Sequence, residues 1–485
     1  MEALQRLHNR GSISTAAYDI DNSLKLEADN SEHLYVTTMT AGNTKTWTYS
    51  CWVKRTELGF TNVLIHFGVD SHVTRMMLND DDSLYLDVCA ETGTTLYRSI
   101  TNRLFRDTSA WFHFVWRMDT TQGTEADRMK LYINGVEETS WAQHQIPPQN
   151  LQTSANTTAP QHKAMGIGTY VWAGSSYDGL FSGYLAQVAH VDGQSYAPTE
   201  FGEFDDDSGI WKPIDVSDLT YGTSNNSFFL DFEDSSDLGA NSKGSDVNFS
   251  LSNLSAADQS TDTPTNNFAT FNVAQPRQSG TTIAEGGTEM YVNSNYQTAV
   301  SSIAVSKGKW YAEFIAGGHT CYVGFVDVLE WTIPQLHNGY FLGYSGIGNT
   351  LSVGMKGTDG AILNESNSAT GATFGTGDII SVALDMDNRK AYFAVNGNYV
   401  NSGNPATAAN PILWYTQRDN GVPWTDVITM GITGYSNTYH RCNFGGYSSV
   451  VPSSAASDAN GYGTFEYAPP SGYYALCTKN LEEFG

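Results

Sequence analysis

Two pairs of carboxylates have the residue types that acid–base chemistry needs. Carboxyl groups about 5–10 Å apart can hydrolyse a glycosidic bond, one acting as acid and the other as base or nucleophile. Asp231 and Glu233 alternate in the run FFLDFED and would share a sheet face, while Glu203 and Asp205 lie in a Gly-flanked loop. Ser208 stands at the third position after Asp205, where a catalytic pattern of this kind needs a Glu, and nothing supplies the third acid for Asp231 and Glu233. GxSxG, HExxH and P-loop sequences are absent. We interpret both pairs as solvated polar residues and predict no catalytic residue.

A run of oxygen-bearing side chains has the composition of a metal site. Asn79, Asp80, Asp81, Asp82 and Ser83 separate two strand-like runs, and calcium binds six to eight oxygen ligands. Asp and Asn are also ordinary residues of hairpin tips. The sequence therefore favours a turn, with calcium near Asp80 to Asp82 as the alternative. We predict no metal site and no cofactor.

Aromatic residues in predicted loops have the chemistry of a sugar-binding site. Sugars stack their C–H faces on aromatic rings while polar side chains bind the hydroxyl groups, and such sites favour loops on rigid scaffolds. The alternative for Trp172 is that it closes one end of a sandwich. The candidate residues are Tyr170, Trp172, Tyr177 and Asp178 in the first half, and Trp331, His337, Tyr340, Trp414, Arg418 and Trp424 in the second.

Composition limits the possible partners. The 485 residues include 25 Lys and Arg against 51 Asp and Glu, a formal net charge of -26. Such a surface repels nucleic-acid phosphates and anionic lipid, so neutral glycans and proteins remain. No apolar run reaches the roughly 20 residues that span a bilayer, and the start has no apolar signal segment, so we expect the protein to stay in a cytosol until released. The five cysteines are predicted to be buried thiols.

The elements that would position these residues are predicted from a repeated phrase. Residues 113–138 and 380–399 each read as an apolar strand, an Asp-containing turn, an alternating strand, Asn-Gly and a return strand. Asn134-Gly135 and Asn396-Gly397 suit the two positive-φ positions of a type I′ hairpin turn. The recurrence predicts an all-β protein with two β-sandwich domains of the jelly-roll type.

The domain boundaries are predicted from composition. Residues 1–18 form a short attachment segment in which Leu4 and Leu7 need a partner to bury them. Residues 19–234 form the first domain. Residues 235–267, rich in Ser, Asn and Asp, are predicted to be a linker, and residues 268–485 form the second domain.

Several of these runs resemble known families. KTWTYSCWVKR, SAWFHFVWRMDTT and DRMKLYINGVEE resemble a concanavalin A-like or laminin-G-like jelly roll as found in large virion proteins of marine bacteriophages. GKWYAEF, YVGFVDV, GDIISVALDMDNRKAYFAVNG and CNFGGY are similar to the landmarks of a SPRY domain. The resemblance implies two binding scaffolds, which serve many ligands, and a phage origin.

The expected function is that of a virion structural protein, a tail or head fibre whose lectin-like domains bind host surface glycan. A capsid decoration or structural adaptor that binds only other virion proteins is the alternative, and a polysaccharide depolymerase is the third. We expect assembly in the host cytoplasm and a homo-oligomer, with a trimer as the leading state by analogy with other fibres. Other virion proteins would bind the N-terminal segment, and neither nucleic acid nor a membrane would be a partner.

Overall fold

The chain divides into two compact units between Thr265 and Asn266. The computed structural model describes residues 18–69, 73–93, 95–159, 164–172, 176–222, 225–243, 247–275, 280–328, 341–343, 351–364, 369–414 and 424–485. Residues 1–17 of the predicted attachment segment lie outside the described residues. Both units are built almost entirely of strands, which confirms the predicted all-β fold.

The first unit contains twenty strands in its described part, with short 3-10 turns at Glu125–Asp127, Pro198–Glu200 and Ala256–Asp258. The strands are β1 (Ser23–Leu26), β2 (His33–Val36), β3 (Thr46–Arg55), β4 (Asn62–Phe67), β5 (Thr74–Leu78), β6 (Ser83–Cys89), β7 (Leu96–Leu104), β8 (Phe112–Asp119), β9 (Met129–Ile133), β10 (Val136–Glu137), β11 (Trp141–His144), β12 (Met165–Ile167), β13 (Tyr170–Trp172), β14 (Ser176–Asp178), β15 (Gly183–Asp192), β16 (Gly202–Phe204), β17 (Trp211–Pro213), β18 (Phe228–Leu230), β19 (Ser250–Ser252) and β20 (Gln259–Ser260).

Two antiparallel sheets form the jelly-roll sandwich of this unit. The first sheet has the order β10-β9-β8-β3-β15-β1-β20, with β18 paired to β15. The second sheet has the order β11-β7-β6-β5-β4-β12-β2-β19. Inward-facing residues of both sheets share one core, in which Trp47 and Trp116 make an edge contact at 4.8 Å. Period-two alternation along the strands separates this core face from the outer face.

The segment predicted to be a linker is part of the first unit. Its β19 pairs with β2, its β20 pairs with β1, and Phe249 is buried in the core. Two of its carboxylates are also buried: Asp258 lies 2.9 Å from Lys25 Nζ, and Asp262 lies 2.6 Å from Lys54 Nζ. The structure therefore differs from the linker prediction because the polar residues of this segment neutralise buried lysines.

The second unit is a separate sandwich, with fifteen described strands, a 3-10 turn at Val400–Ser402 and the helix α1 (Thr478–Phe484). The strands are β21 (Thr282–Ala284), β22 (Glu289–Val292), β23 (Tyr296–Val300), β24 (Lys309–Ile315), β25 (Tyr322–Asp327), β26 (Ser352–Lys356), β27 (Ala361–Leu363), β28 (Ala369–Thr370), β29 (Ile379–Asp385), β30 (Lys390–Val395), β31 (Asn398–Tyr399), β32 (Ile412–Leu413), β33 (Ile428–Tyr435), β34 (Thr438–Asn443) and β35 (Tyr474–Ala475).

Its sheets have the orders β21-β22-β34-β24-β29-β30-β31 and β23-β33-β25-β26-β27-β28. In the first of these, β32 pairs with β30 and β35 runs parallel to β24. None of the helices in the described part of the chain is long and apolar enough to cross a membrane. All five cysteines of the two units are buried thiols, as predicted.

The repeated phrase folds in the same way in both units. Asn134 and Gly135 have φ of 48° and 78°, and Asn396 and Gly397 have φ of 47° and 77°. Asn134 donates its backbone N–H to His113 O at 2.9 Å and accepts the His113 N–H through Oδ1 at 2.7 Å. Asn396 makes the same two bonds at 2.8 and 2.9 Å, with the first residue of β29. The predicted hairpin turns are confirmed, and each Asn side chain also anchors a neighbouring strand of the sheet, β8 in the first unit and β29 in the second.

Candidate binding site

A row of polar side chains crosses the outer face of the second sheet in the first unit. His66, Arg75, Asp87 and Arg98 are direct cross-strand neighbours on β4, β5, β6 and β7. The adjacent positions of β5 and β6, such as Leu86, are core residues. Because side chains alternate along a strand, this row must face away from the core. We call Arg75, Asp87 and Arg98 the arginine cluster.

Asp87 fixes the orientation of both guanidinium groups in this cluster. Its Oδ2 accepts Arg75 Nε–H at 2.7 Å, and its Oδ1 accepts Arg98 Nε–H at 2.7 Å. Arg98 Nη2 adds a bond of 2.9 Å to Oδ2, and these bonds raise the pKa of Arg98. Asp87 is fully buried, whereas the Arg75 and Arg98 side chains are 19% and 32% exposed. The carboxylate is thus covered by arginines whose outer N–H groups face solvent.

The hairpin β13–β14 lies over the same outer face. Its Val171 N–H donates to His66 Nδ1 at 2.9 Å, and the carbonyl of Gly179 accepts the Val63 N–H at 2.9 Å. Gly179 has φ of +58°, and a Cβ there would lie 2.5 Å from the Tyr170 ring. Glycine at this position therefore permits the close approach that seats Tyr170 on the sheet.

Tyr170 and Tyr85 each pair with one arginine of the cluster. The Arg75 guanidinium carbon lies 4.8 Å from the Tyr170 ring centroid, and the edge of His66 meets the same ring at 5.6 Å. Arg98 lies over the Tyr85 ring at 5.4 Å. Burial raises the pKa of Tyr170, and it lowers that of His66 to about 3, so His66 carries no charge at neutral pH. The positive charge of this face therefore comes from the two arginines.

These residues line a surface pocket of about 450 Å³. Its walls combine two aromatic rings, two guanidinium groups and a carboxylate, which can contact apolar C–H groups, donate to oxygen atoms and accept from hydroxyl groups. The lining residues are Thr61, Arg75, Met77, Asn79, Tyr85, Arg98, Tyr170, Asp178 and Gly179.

Two of the four candidates in the first half meet in this pocket. Cross-strand pairing of Tyr170 with Asp178, and of Trp172 with Ser176, places Tyr170, Trp172 and Asp178 on one face of the hairpin. Trp172 is 39% exposed, so it does not close the end of the sandwich. Tyr177 lies on the opposite face, where its ring packs 4.1 Å from His33. The hairpin thus separates Tyr177 from the other three candidates.

The candidates in the second half are distributed differently. Trp331, His337, Tyr340 and Arg418 lie outside the described residues. Trp414 and Trp424 are only 4% and 5% exposed and belong to the core of the second unit, where their rings lie 5.0 and 6.4 Å from Phe325. The prediction that these two tryptophans are rim residues is therefore wrong.

The burial of Trp414 follows from strand alternation. Ile412 and Leu413 form β32, in which Ile412 is buried and Leu413 is 57% exposed. Trp414 follows in the inward phase. The polar residues that follow Trp414 in the sequence suggest an exposed loop. They give no sign that Ile412 and Leu413 form a strand paired with β30.

The two acid pairs are not arranged as a catalytic dyad. Strand β18 ends at Leu230, and Phe232 has φ of 59°, so Asp231 and Glu233 do not alternate along one strand as predicted. Asp231 instead accepts the Glu233 backbone N–H at 3.2 Å. In the other pair, Asp205 accepts the backbone N–H of Ser208 at 2.9 Å, and Glu203 lies 3.2 Å from Lys212. Asp231 and Asp205 therefore stabilise local turns, and Glu203 forms an ion pair with Lys212.

The acidic run Asn79 to Ser83 forms the tight turn favoured by the sequence. Asp81 accepts the backbone N–H of Ser83 at 3.0 Å. Asp82 pairs with Arg55 at 3.0 Å and with Arg106 at 2.8 Å, so its carboxylate neutralises arginines. Among the residues that the structure describes, no group of three or more His, Cys, Asp or Glu is placed to hold a metal ion.

Comparisons with known proteins agree with the sandwich of the first unit. Residues 28–189 match the family model of the concanavalin A-like lectin/glucanases superfamily, a stretch that includes the arginine cluster and the β13–β14 hairpin. The first unit therefore contains a concanavalin A-like jelly-roll domain. No curated protein sequence matches the chain.

Solved structures of low identity are also similar to parts of the chain. The SPRY domain of human HERC1 is 16% identical and covers 36% of this chain and 96% of its own, with a TM-score of 0.26. A heptameric SAP-like pentraxin from Limulus polyphemus is 15% identical and covers 37% and 80%, with a TM-score of 0.28. A second human SPRY domain is 16% identical and covers 34% and 96%, with a TM-score of 0.23.

Proposed function

We propose that this protein is a non-catalytic glycan-binding protein that uses the pocket on the outer face of its first unit. The observation that carries the proposal is the packing of the Tyr170 ring, from the β13–β14 hairpin, against Arg75, with Asp178 in the same pocket. The pocket combines apolar walls, N–H donors and a carboxylate acceptor, which are the groups that a sugar needs. The match of these residues to the concanavalin A-like lectin/glucanases superfamily supports a carbohydrate ligand.

The carboxylates of the pocket support binding rather than hydrolysis. A glycosidase needs two carboxyl groups on either side of the scissile bond. Among the described lining residues, Asp178 is the acid that reaches the pocket, and Asp87 is buried beneath two arginines. Asp87 in that environment can neither donate a proton to a leaving group nor attack a sugar. Release of reducing ends from a bound polysaccharide would favour the depolymerase instead.

We also propose that the protein is a structural component of a phage particle, a tail or head fibre assembled in the host cytoplasm. The resemblance of its strand phrases to virion proteins supports this placement. Residues 1–18 would attach it to other virion proteins, as a trimer. Immunogold electron microscopy of particles tests the location, and labelling of the head surface without any glycan binding would favour the decoration or adaptor role.

Glycan binding is tested by screening the full-length protein on a glycan array and measuring hits by calorimetry. Asp178→Asn and Tyr170→Ala should each weaken binding about tenfold or more, since truncation of a central contact commonly costs over 1 kcal/mol. Tyr439→Ala is the matched control, because Tyr439 is a 51% exposed tyrosine of the second unit. Circular dichroism checks that each variant is folded. Equal binding by all variants would disprove the pocket as the site.

A further inference from the structure

We propose that the pocket selects saccharides that carry an anionic group, a uronate carboxylate or a sulfate ester, over neutral ones. This inference rests on the proposed glycan-binding function and names its ligand class. Two observations carry it: the unused N–H donors of the arginine cluster and the fixed position of both guanidinium groups.

The cluster keeps more donors than it uses. A guanidinium group has five N–H donors. Arg75 donates only through Nε to Asp87, and Arg98 donates through Nε and Nη2. Neither Nη atom of Arg75, nor Nη1 of Arg98, bonds to another residue in the part of the chain that the structure describes. Both side chains line the pocket, so these N–H groups are available to a ligand.

The remaining polar residues of the pocket already have partners. Asn79 donates to Asp80 at 2.6 Å and accepts from Thr61 at 3.2 Å, so each end of its amide has one partner within the protein. Asp178 accepts the Gly179 backbone N–H at 2.7 Å and keeps its second oxygen for a sugar hydroxyl. The unused N–H donors of the pocket are therefore those of Arg75 and Arg98. The complementary ligand is rich in acceptors, as carboxylate and sulfate oxygens are.

The guanidinium groups are held in place before a ligand arrives. Asp87 fixes one edge of each, and the guanidinium carbons of Arg75 and Arg98 lie 4.8 and 5.4 Å from the ring centroids of Tyr170 and Tyr85. A fixed planar fork binds a carboxylate or sulfate in two-point fashion with little loss of side-chain entropy. The arginine cluster alone carries one positive charge, and the carboxylate of Asp178 in the same pocket offsets it, so an anionic group is selected by directed N–H bonds from the two guanidinium groups and not by net charge. On a chain of net charge -26, such a site gives local selectivity rather than long-range attraction.

The first test changes only the ligand. Binding of full-length protein to oligogalacturonate is compared by calorimetry with binding to the same oligosaccharide after reduction of its carboxyl groups to alcohols. A sulfated galactan oligosaccharide and its desulfated form make a second pair. We expect about tenfold tighter binding or more for at least one acidic member over its neutral partner, and weakening of that difference between 0.05 and 0.5 M salt.

The second test changes the protein. Arg98→Gln should remove the preference for the acidic member. Arg103→Gln, on the same strand, alters the net charge equally but removes a 51% exposed side chain paired with Glu138 outside the pocket, so it should keep the preference. Equal loss in both variants would overturn the assignment to this cluster. If the Arg98→Gln variant does not fold, the comparison of acidic and neutral oligosaccharides on the wild-type protein decides whether the pocket prefers anionic saccharides.

The outcomes separate the two proposals. Equal affinity for acidic and neutral members, lost in Asp178→Asn, would overturn the anionic selectivity and leave glycan binding at the pocket intact. Absence of binding to every oligosaccharide, including the hits of the glycan array, would overturn both.

Discussion

Two charge clusters of the first unit have opposite composition and opposite surroundings. In the inner cluster, Lys25 lies between Glu32 and Asp258, at 2.9 Å from each. In the arginine cluster, one carboxylate lies between two arginines. The inner side chains are 1%, 4% and 9% exposed, whereas the two arginines are 19% and 32% exposed.

The difference in exposure indicates what each cluster does. The inner cluster joins β1 to the chain segment around β20 and is closed to solvent, so its charges serve folding. The arginine cluster buries only its central acid and presents the outer N–H groups of its arginines to a pocket. Similar ion-pair chemistry therefore stabilises the fold at one place and prepares a binding surface at the other.

The largest expected effect comes from removing the centre of the inner cluster. Lys25→Met leaves two buried acids without their cation, which should lower the free energy of unfolding by about 3–5 kcal/mol at pH 8, above the pKa of Glu32. Urea unfolding of the full chain measures this.

Lys130→Met is the matched control for that variant. Lys130 also lies between two acids, Asp127 and Glu137, but those acids are 50% and 41% exposed. Its cost should be at most about 1 kcal/mol, as for other surface ion pairs. Equal costs for the two lysines would show that the inner cluster is hydrated, contrary to its burial here.

The sequence predicts the hairpins and the alternation but not the inner cluster. Asn134-Gly135 and Asn396-Gly397 are local signals, because two adjacent residues determine a turn. Asp258 and Asp262 lie in a Ser-, Asn- and Asp-rich stretch that has the composition of a linker. Their burial depends on pairing with lysines that are more than two hundred residues away, and no local pattern reports such a pairing.

The candidate site could be predicted only in part, for the same reason. Tyr170 and Asp178 were found because aromatic and acidic residues near a predicted loop suggest sugar binding. Arg75, Asp87 and Arg98 lie on three strands, and only the register across β5, β6 and β7 brings them together. The alternation in RMML and LYLDV does give a partial indication. It places Met76 and Leu86 on the core face, and therefore Arg75 and Asp87 on the outer face.

The second expected effect concerns the centre of the arginine cluster. Asp87→Asn should lower the free energy of unfolding by about 2–3 kcal/mol, because two guanidinium groups lose their shared carboxylate. The loss should be smaller than for Lys25→Met, since both arginines can hydrate. It should also weaken glycan binding, because the guanidinium groups are no longer oriented. A stability loss with unchanged affinity would show that orientation by Asp87 does not matter for binding.

The third effect is a pH dependence that belongs to the inner cluster. Burial raises the pKa of Glu32 to about 7, although Lys25 opposes the shift. The folded state therefore binds this proton more tightly than the unfolded chain does. The stabilisation is complete below about pH 4.5 and is lost as the pH rises through about 7.

Glu32→Gln tests this dependence. Between pH 5 and 7.5, the wild type should lose about 2 kcal/mol relative to this variant, measured by urea unfolding at each pH. Parallel stability curves for the two proteins would refute a raised pKa for Glu32.

The smallest expected effect separates charge from geometry at the surface. Arg98→Lys keeps the positive charge but can replace only one of the two bonds to Asp87, so the free energy of unfolding should fall by at most about 1 kcal/mol. A lysine ammonium group lacks the planar array of N–H donors with which arginine can bond Asp87 and a ligand at the same time. Affinity for the acidic oligosaccharide should therefore still fall several-fold. Lys25→Arg is the counterpart in the inner cluster, where a larger cation must fit among closed side chains and should cost about 1–3 kcal/mol. Full affinity in Arg98→Lys would mean that charge alone is recognised, and the fixed fork would then have no part in selecting the ligand.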